Sequence, residues 1–208
     1  MRFASKKAFR EFCKKRVLKK SASREAVNTL EWLIEHLEAK SVLFYLPMAH
    51  EVDVLALMKR LRRTKHLFVP FMEGESFKMV KFRYPLKRGA FGIKQPPNSF
   101  LKTKIDAVVV PVLGVDGDFR RVGFGKGMYD RFFASLDYRP VVIFVQNKKC
   151  FTEQKVGESH DVQGDFLITP KEILIRGDSN VGRDFGRKFC RHFKWRCRIY
   201  ARKKDRKG

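Results

Sequence analysis

The sequence predicts an α/β layered fold with a largely parallel central sheet. Segments with helical and strand patterns alternate along most of the 208 residues, which favours helices packed on a sheet. The most hydrophobic segment, DAVVVPVLGV (106–115), is typical of a central strand that is buried on both faces. Because ligands of such sheets gather at the carboxyl ends of the strands, the loops that follow the strands are the candidate sites.

The first half of the chain supplies three predicted helices. Residues 3–19 can form a basic helix, and residues 23–40 repeat apolar side chains at helical spacing, with Ser21 or Ser23 as a cap. The acidic start of the segment 51–63 suits the positive end of a helix dipole. Strands are predicted at 41–46, 66–71 and 77–82.

The second half continues the alternation. A surface loop is predicted for 83–104, because Pro and Gly recur throughout it. After the central strand, a glycine-rich loop leads into a predicted helix at 127–136. Two further strands are predicted at 140–146 and 165–170.

The formal net charge of +24 is unevenly distributed. Residues 176–208 hold 13 Lys or Arg against three Asp. A basic surface attracts polyanions of every kind, so charge alone does not choose between nucleic acids and nucleotides. We divide the chain into an α/β domain at 1–175 and a basic C-terminal tail at 176–208. Disorder is the first interpretation of the tail, and a contact with nucleic acid or a membrane surface is the alternative.

The cysteines and the apolar runs indicate the cellular compartment of the protein. No apolar run approaches the roughly 20 residues that span a bilayer, and the basic N-terminal segment lacks the features of a secretory signal. The four cysteines, Cys13, Cys150, Cys190 and Cys197, are scattered without a CxxC motif. They suit a reducing cytoplasm better than a disulfide framework. With His192, the last two cysteines offer only three zinc ligands at irregular spacing, which does not favour a zinc site.

The segment RRVGFGKGMYDR (120–131) concentrates the candidate chemistry. Glycines between a strand and a helix start let backbone N–H groups approach phosphate oxygens, and the helix start adds partial positive charge. Lys126 and Arg121 can supply full charges. The spacing is not that of a Walker loop, and a glycine-rich turn with incidental basic residues is the alternative interpretation.

Two aspartates are candidate magnesium ligands. Asp130, set among cations, is either a salt-bridge partner or a ligand for Mg²⁺ carried with a nucleotide. Mg²⁺ prefers one or two carboxylates together with phosphate oxygens. Asp161 in ESHDVQGD offers a second carboxylate if the fold brings it near; a surface turn is the alternative there.

The glycine-rich segment resembles the signature of the 5-formyltetrahydrofolate cyclo-ligase family, also called methenyltetrahydrofolate synthetases, which runs approximately R-L-G-x-G-x-G-Y-Y-D-R. Three further segments match that family in order: KKAFR (6–10), YLPMAHEVDV (45–54) and FGIKQP (91–96). The resemblance covers about residues 1–175. The sequence departs from the family pattern at Phe9, Val54, Gln95 and Met128.

The resemblance implies a fold and a reaction. The fold is a three-layer α/β sandwich in which helices flank a mostly parallel central sheet. The reaction is the ATP-dependent cyclisation of 5-formyltetrahydrofolate to 5,10-methenyltetrahydrofolate, with release of ADP and phosphate, through a phosphorylated formyl intermediate. Phosphoryl transfer needs positioning and charge neutralisation more than a protein nucleophile, and the sequence points to no nucleophilic Ser or Cys.

The resemblance also implies roles for individual residues. The ATP-binding residues are Lys6, Lys7, Ala8, Phe9, Arg10, Arg121, Val122, Gly123, Phe124, Gly125, Lys126, Gly127, Met128 and Tyr129. The folate-binding residues are Leu46, Glu51, Phe124, Gly125, Lys126, Gly127 and Met128. The catalytic residues are Arg10, Arg121 and Lys126. Asp130 and Asp161 hold Mg²⁺, and Glu51 suits the N–H donors on the pterin edge.

Two rival interpretations remain at this stage. A basic nucleic-acid-binding protein is supported by the charge and the tail, although no RRM, KH or zinc-finger signature is present. A relative that binds folate or nucleotide without turnover is supported by the departures at Val54, Gln95 and Met128. The sequence does not predict an oligomeric state.

Overall fold

The computed structural model describes residues 2–17, 24–89, 94–99, 103–193 and 196–201. The predicted Ser21 and Ser23 caps, the end of the first predicted helix beyond Val17, and much of the FGIKQP segment lie outside the described residues. None of the described helices is long and apolar enough to cross a membrane.

The described chain alternates helices and strands. The helices are α1 (Lys6–Val17), α2 (Arg24–His36), α3 (Leu55–Leu61), α4 (Met128–Ala134) and α5 (Asn180–Phe193). The long strands are β1 (Ser41–Leu43), β2 (His66–Glu73), β3 (Ser76–Lys81), β6 (Ala107–Pro111), β9 (Val141–Val145), β10 (Phe166–Ile168), β11 (Ile173–Arg176) and β12 (Cys197–Tyr200). Two small pairs are β4 (Lys87–Arg88) with β5 (Lys94–Gln95), and β7 (Gly114–Val115) with β8 (Arg121–Val122).

The long strands form one eight-stranded sheet in the order β12-β11-β10-β9-β6-β1-β2-β3. The five strands from β10 to β2 run parallel, and β3 and β11 run antiparallel to their inner neighbours. β6 lies near the centre, as its continuous apolar sequence predicts. The α/β fold with a mostly parallel sheet is confirmed.

Each face of the sheet is covered by helices. Alternate residues of a strand point to opposite faces, so Val109 packs with α2, α3 and α5, while Val108 and Val110 pack with α4. The apolar stripe of α2, which includes Leu30 and Ile34, is fully buried against the first face. The three layers implied by the resemblance are therefore present.

The region after Ile175 differs from the first interpretation of the tail. α5 packs Phe189 against Trp32 of α2, and β12 extends the sheet by pairing parallel to β11. Disorder is wrong for residues 176–193 and 196–201, because the aromatic side chains that interrupt the basic sequence are the ones that pack. Residues 194–195 and 202–208 lie outside the described part.

The cysteines also differ from the expectation. Cys13 of α1 and Cys150, in the loop after β9, form a disulfide. Cys190 and Cys197 are thiols whose sulfur atoms lie 2.7 Å apart. No local spacing predicts this disulfide, because it joins residues 137 positions apart that meet only in the folded chain.

Candidate active site

A cavity of about 320 Å³ opens at the carboxyl ends of β1 and β6. Its volume is within the range of pockets that enclose small ligands. The loop after β1, the β2–β3 hairpin and the glycine-rich loop supply its walls. The lining residues are Tyr45, Leu46, Met48, His50, Glu51, Pro70, Met72, Phe77, Pro111, Arg121, Phe124, Lys126, Gly127, Met128 and Tyr129.

Two arginines contact Gly123 of the glycine-rich loop, one from α1 and one from the strand that precedes the loop. Arg10 of α1 donates from Nε to the carbonyl of Gly123 at 2.9 Å. Arg121 lies against the same glycine, where a Cβ would come 2.5 Å from its guanidinium. Arg121 also stands 4.9 Å above the ring of Tyr129. Two cations therefore flank a loop in which Gly123, Gly125 and Gly127 carry no side chain.

The far end of the loop turns into α4. Gly127 precedes the helix with φ of 65°, in the left-handed region that favours glycine. Arg131 donates to the carbonyl of Lys126 at 2.6 Å and to the carbonyl of Glu75 in the β2–β3 turn. Arg131 thereby ties the loop to the hairpin across the cavity, a role that the signature alone did not reveal.

Glu51 is the carboxylate of the cavity. Its Oε2 accepts the N–H of Met48 at 2.9 Å, which closes the turn after β1. Burial raises the pKa of Glu51, and the Met48 hydrogen bond and the charge of Arg121 oppose that rise. Burial also raises the pKa values of Tyr45 and Tyr129, so both phenols are neutral. The cavity therefore places one acidic group opposite a cation, surrounded by apolar side chains.

Lys6 is bound to Asp161. Its Nζ lies 2.6 Å from both carboxylate oxygens. Asp161 is 3% exposed at its side chain, and its Oδ2 also accepts the N–H of Glu158 at 2.7 Å. The contact fixes the start of α1 to the loop after β9.

The two predicted magnesium ligands lie side by side. Asp130 accepts the N–H of Val162, the residue after Asp161, at 3.1 Å. Both aspartates line a groove of about 590 Å³ on the other side of α4, which shares Gly127 with the cavity. The described residues hold no cluster of three or more His, Cys, Asp or Glu that would bind a metal alone. Two carboxylates that line one groove nevertheless fit Mg²⁺ that takes its other ligands from phosphates and water, once Lys6 has left Asp161.

The structure brings most of the predicted residues together, but not all side chains face a ligand. Phe9 and Val122 are fully buried in the small core under α1, so only their backbone is available. Lys7 and Ala8 are exposed on α1. Leu46 lines the cavity as predicted.

Besides Phe9, three positions depart from the family pattern, and each has a place in the fold. Val54 is fully buried before α3, and Gln95 accepts the N–H of Met72 at 3.3 Å. Met128 lines the cavity as the first residue of α4. Val54 and Met128 pack as apolar side chains, and Gln95 is a buried amide that holds the backbone of β2.

Several cavity residues were missed by sequence reasoning. They are Tyr45, Met48, His50, Pro70, Met72, Phe77 and Pro111. His50 stood next to Glu51 in a segment already singled out, so its position was a usable signal. The side chains from β2 and β3 carried no such signal. The alternation of apolar and polar residues in a strand does not show whether its exposed face lines a binding site.

Comparison with known proteins agrees with this architecture. The model of the 5-formyltetrahydrofolate cyclo-ligase family matches residues 3–170. The 5-formyltetrahydrofolate cyclo-ligase of Mycoplasma pneumoniae is 27% identical over 168 residues, covering 78% of this chain and 92% of that protein. The mouse (Mus musculus) protein of the same name is 24% identical over 189 residues, covering 79% of this chain and 93% of that protein.

Solved structures show the same fold. The NMR structure of Aquifex aeolicus 5,10-methenyltetrahydrofolate synthetase superposes with a TM-score of 0.69 at 27% identity, covering 81% of this chain and 91% of that one. The 5,10-methenyltetrahydrofolate synthetase of Mycoplasma pneumoniae gives a TM-score of 0.60 at 23% identity, covering 78% and 97%.

Proposed function

The chain belongs to the 5-formyltetrahydrofolate cyclo-ligase family, and we propose that its cavity binds the folate while the flanking cations bind ATP. The reaction is the ATP-dependent cyclisation of 5-formyltetrahydrofolate to 5,10-methenyltetrahydrofolate, with release of ADP and phosphate. The observation that carries the proposal is the junction at Gly123. There the α1 arginine and the loop arginine meet at the mouth of a largely apolar cavity that holds one carboxylate.

The folate occupies the cavity. Its pterin edge presents N–H donors, and Glu51 is the acceptor that the cavity offers them. A hydrogen bond to a charged group contributes roughly 1.5–3 kcal/mol. Leu46 and Met128 pack against the apolar part of the ligand, and Tyr129 stays neutral because burial raises its pKa.

The nucleotide lies along α1 and the glycine-rich loop. Arg10 projects from α1 to this loop, while Lys6 of the same helix is held by Asp161 in the ligand-free protein. Gly125 and Gly127 adopt positive φ that opens the backbone to phosphate oxygens. Arg121 and Lys126 line the cavity at the junction. They neutralise the charge that develops on the γ-phosphoryl group as it passes to the formyl oxygen.

Asp130 and Asp161 are the residues that would hold Mg²⁺. When bound with ATP, the ion neutralises phosphate charge and orients the terminal group. No protein nucleophile is required, because the formyl oxygen itself attacks phosphorus. A cytoplasmic location remains a prediction.

The experiment is a spectrophotometric assay of the purified chain with 5-formyltetrahydrofolate, ATP and MgCl₂. Methenyltetrahydrofolate should accumulate, with one ADP for each product molecule. Lys126→Ala should lower the rate and weaken the binding of ATP, so that more ATP is required for half-maximal rate. A folded protein that produces no methenyltetrahydrofolate at any ATP concentration would contradict the proposal and favour a non-catalytic folate-binding relative.

Nucleic-acid binding through the basic C-terminal region remains a second prediction, without an observation of its own in the structure. A salt-dependent RNA gel shift that is lost on deleting residues 176–208 would support it as an added role.

A further inference from the structure

His50 borders the cavity and is held by two neighbouring loops. Its backbone carbonyl accepts the side-chain amide of Asn147, in the loop after β9. Its ring meets the ring of Phe124, at the centre of the glycine-rich loop, edge-on with centroids 5.3 Å apart. His50 also lines a smaller cavity of about 30 Å³ behind Phe124. The imidazole therefore stands where the proposed folate and nucleotide sites meet.

One ring nitrogen of His50 is unsatisfied. Nε2 is shielded from water and has no hydrogen-bond partner within the described part of the chain. Leaving a buried polar atom unpaired costs about 1–3 kcal/mol. The two other atoms of this kind, Ser99 Oγ and Arg120 Nε, do not line the cavity. His50 lines the cavity, and its ring must turn for the shielded Nε2 to face a bound ligand.

The other ionisable groups around the cavity do not suit proton acceptance. Arg121 and Lys126 are cations, and burial keeps the phenols of Tyr45 and Tyr129 protonated and weakly basic. Glu51 already accepts the N–H of Met48 and, in the proposed function, the pterin edge. Burial lowers the pKa of His50, so its imidazole is neutral and carries a lone pair at physiological pH.

Ring closure releases a proton. The arylamine nitrogen of the folate attacks the activated formyl carbon, forming a C–N bond and a protonated amine. That nitrogen then loses its proton, the C–O bond breaks with its electron pair leaving on the phosphate oxygen, and the nitrogen lone pairs form the amidinium of the methenyl product. Inorganic phosphate leaves with the former formyl oxygen.

We propose that Nε2 of His50 accepts the proton that the arylamine nitrogen releases during ring closure. This inference rests on the proposed function and adds a general base to it. His50 acts after phosphoryl transfer, so it affects the second half of the reaction and not the first. It then passes the proton to the departing phosphate or to water.

The test separates the two halves by rapid quench under single-turnover conditions. ADP reports phosphoryl transfer, and methenyl absorbance reports ring closure. In His50→Gln, ADP should form within about threefold of the wild-type rate, while methenyl formation should slow by roughly 100-fold. Ala49→Ser, on the same loop but outside the cavity, should match the wild type in both readouts.

Two results would overturn the role. The first is that His50→Gln slows ADP formation and methenyl formation equally. The second is that His50→Gln forms both at the wild-type rate, which would show that phosphate or water takes the proton. If His50→Gln does not fold, the wild type is measured at saturating folate. Methenyl formation should then fall as the pH drops through the lowered pKa of His50 while ADP formation does not, and parallel pH profiles would reject the base. A wild-type enzyme that makes no methenyl product would instead reject the proposed function.

Discussion

Lys6 and Asp161 form an ion pair in which the ammonium nitrogen lies 2.6 Å from both carboxylate oxygens. The pair joins the start of α1 to the loop after β9, 155 residues away in sequence. Lys6 is a proposed phosphate ligand and Asp161 a proposed magnesium ligand. Without ligands the lysine therefore supplies the positive charge that Asp161 would otherwise receive from the metal.

Lys6→Met should destabilise the ligand-free protein by on the order of 3 kcal/mol, because it leaves the carboxylate of Asp161 buried without its cation. Lys6→Met combined with Asp161→Asn should recover part of that loss, because the buried charge is then gone. Lys7→Met removes an exposed lysine of the same helix and is the control. Urea unfolding measures all four proteins, and equal stability of Lys6→Met and Lys7→Met would show that the pair contributes nothing.

Gly123→Ala should impair catalysis more than folding. The added Cβ would lie 2.5 Å from the guanidinium of Arg121, which must swing away from the junction. We expect kcat/KM to fall at least tenfold, equivalent to about 1.4 kcal/mol of transition-state stabilisation. Gly74→Ala, in the β2–β3 turn, meets no atom within 4 Å but has φ of 59°, so this control should lose stability through backbone strain and keep its kcat/KM. Steady-state kinetics and thermal melts compare the variants; an unchanged kcat/KM in Gly123→Ala would show that the position of Arg121 is unimportant.

The sequence predicted the sheet and the glycine-rich loop because both are local. Apolar runs such as 106–115 and the glycine spacing of 120–131 can be recognised from consecutive residues, without knowledge of tertiary contacts. The Lys6–Asp161 pair and the Arg10–Gly123 hydrogen bond were not readable as contacts, since they depend on how α1 docks across the loops after β6 and β9. The resemblance supplied the names of those residues but not the contacts between them.

For the C-terminal region, the interpretation from the sequence was wrong. Val181, Phe185, Phe189 and Phe193 recur every four residues, so a helical period is present in the sequence. The dense Lys and Arg between them favoured a disordered tail over this weaker signal. A basic segment can be a disordered tail or an ordered helix whose basic side faces solvent. Only the burial of its few apolar residues distinguishes the helix from the disordered tail.

Phe189→Ala should lower the free energy of unfolding by about 3–5 kcal/mol. The ring is fully buried and lies 4.5 Å from the ring of Trp32 at its centroid, and large-to-small changes in a core have costs of this size. Chemical denaturation reports the loss. Val181→Ala, at the partly buried start of α5, should have a smaller effect. A Phe189→Ala protein as stable as the wild type would mean that α5 does not pack on the core.

Glu51→Gln should weaken folate binding by roughly 10-fold to 150-fold, the equivalent of one charged hydrogen bond. Burial raises the pKa of Glu51, and a bound pterin favours the ionised form. Wild-type affinity should therefore be full above this raised pKa and decline as the pH falls through it. The decline should be absent in Glu51→Gln. Calorimetric titrations across pH measure both, and identical pH profiles would exclude Glu51 from the pterin site.

Asp130→Asn should lower turnover and raise the Mg²⁺ concentration required for half-maximal rate. An amide keeps the oxygen that accepts the N–H of Val162 but loses the charge that Mg²⁺ prefers. Stability should change little. A wild-type Mg²⁺ dependence in this variant would remove Asp130 from the metal site.

The most direct measurement of the central claim is a crystal structure with 5-formyltetrahydrofolate and Mg²⁺-ADP bound. The account predicts the pterin in the cavity against Glu51, with the diphosphate between Arg10 and the backbone of Gly125 and Gly127. Lys6 should have moved from Asp161 towards the phosphates. Nucleotide bound away from the glycine-rich loop, or a pterin outside the cavity, would contradict it.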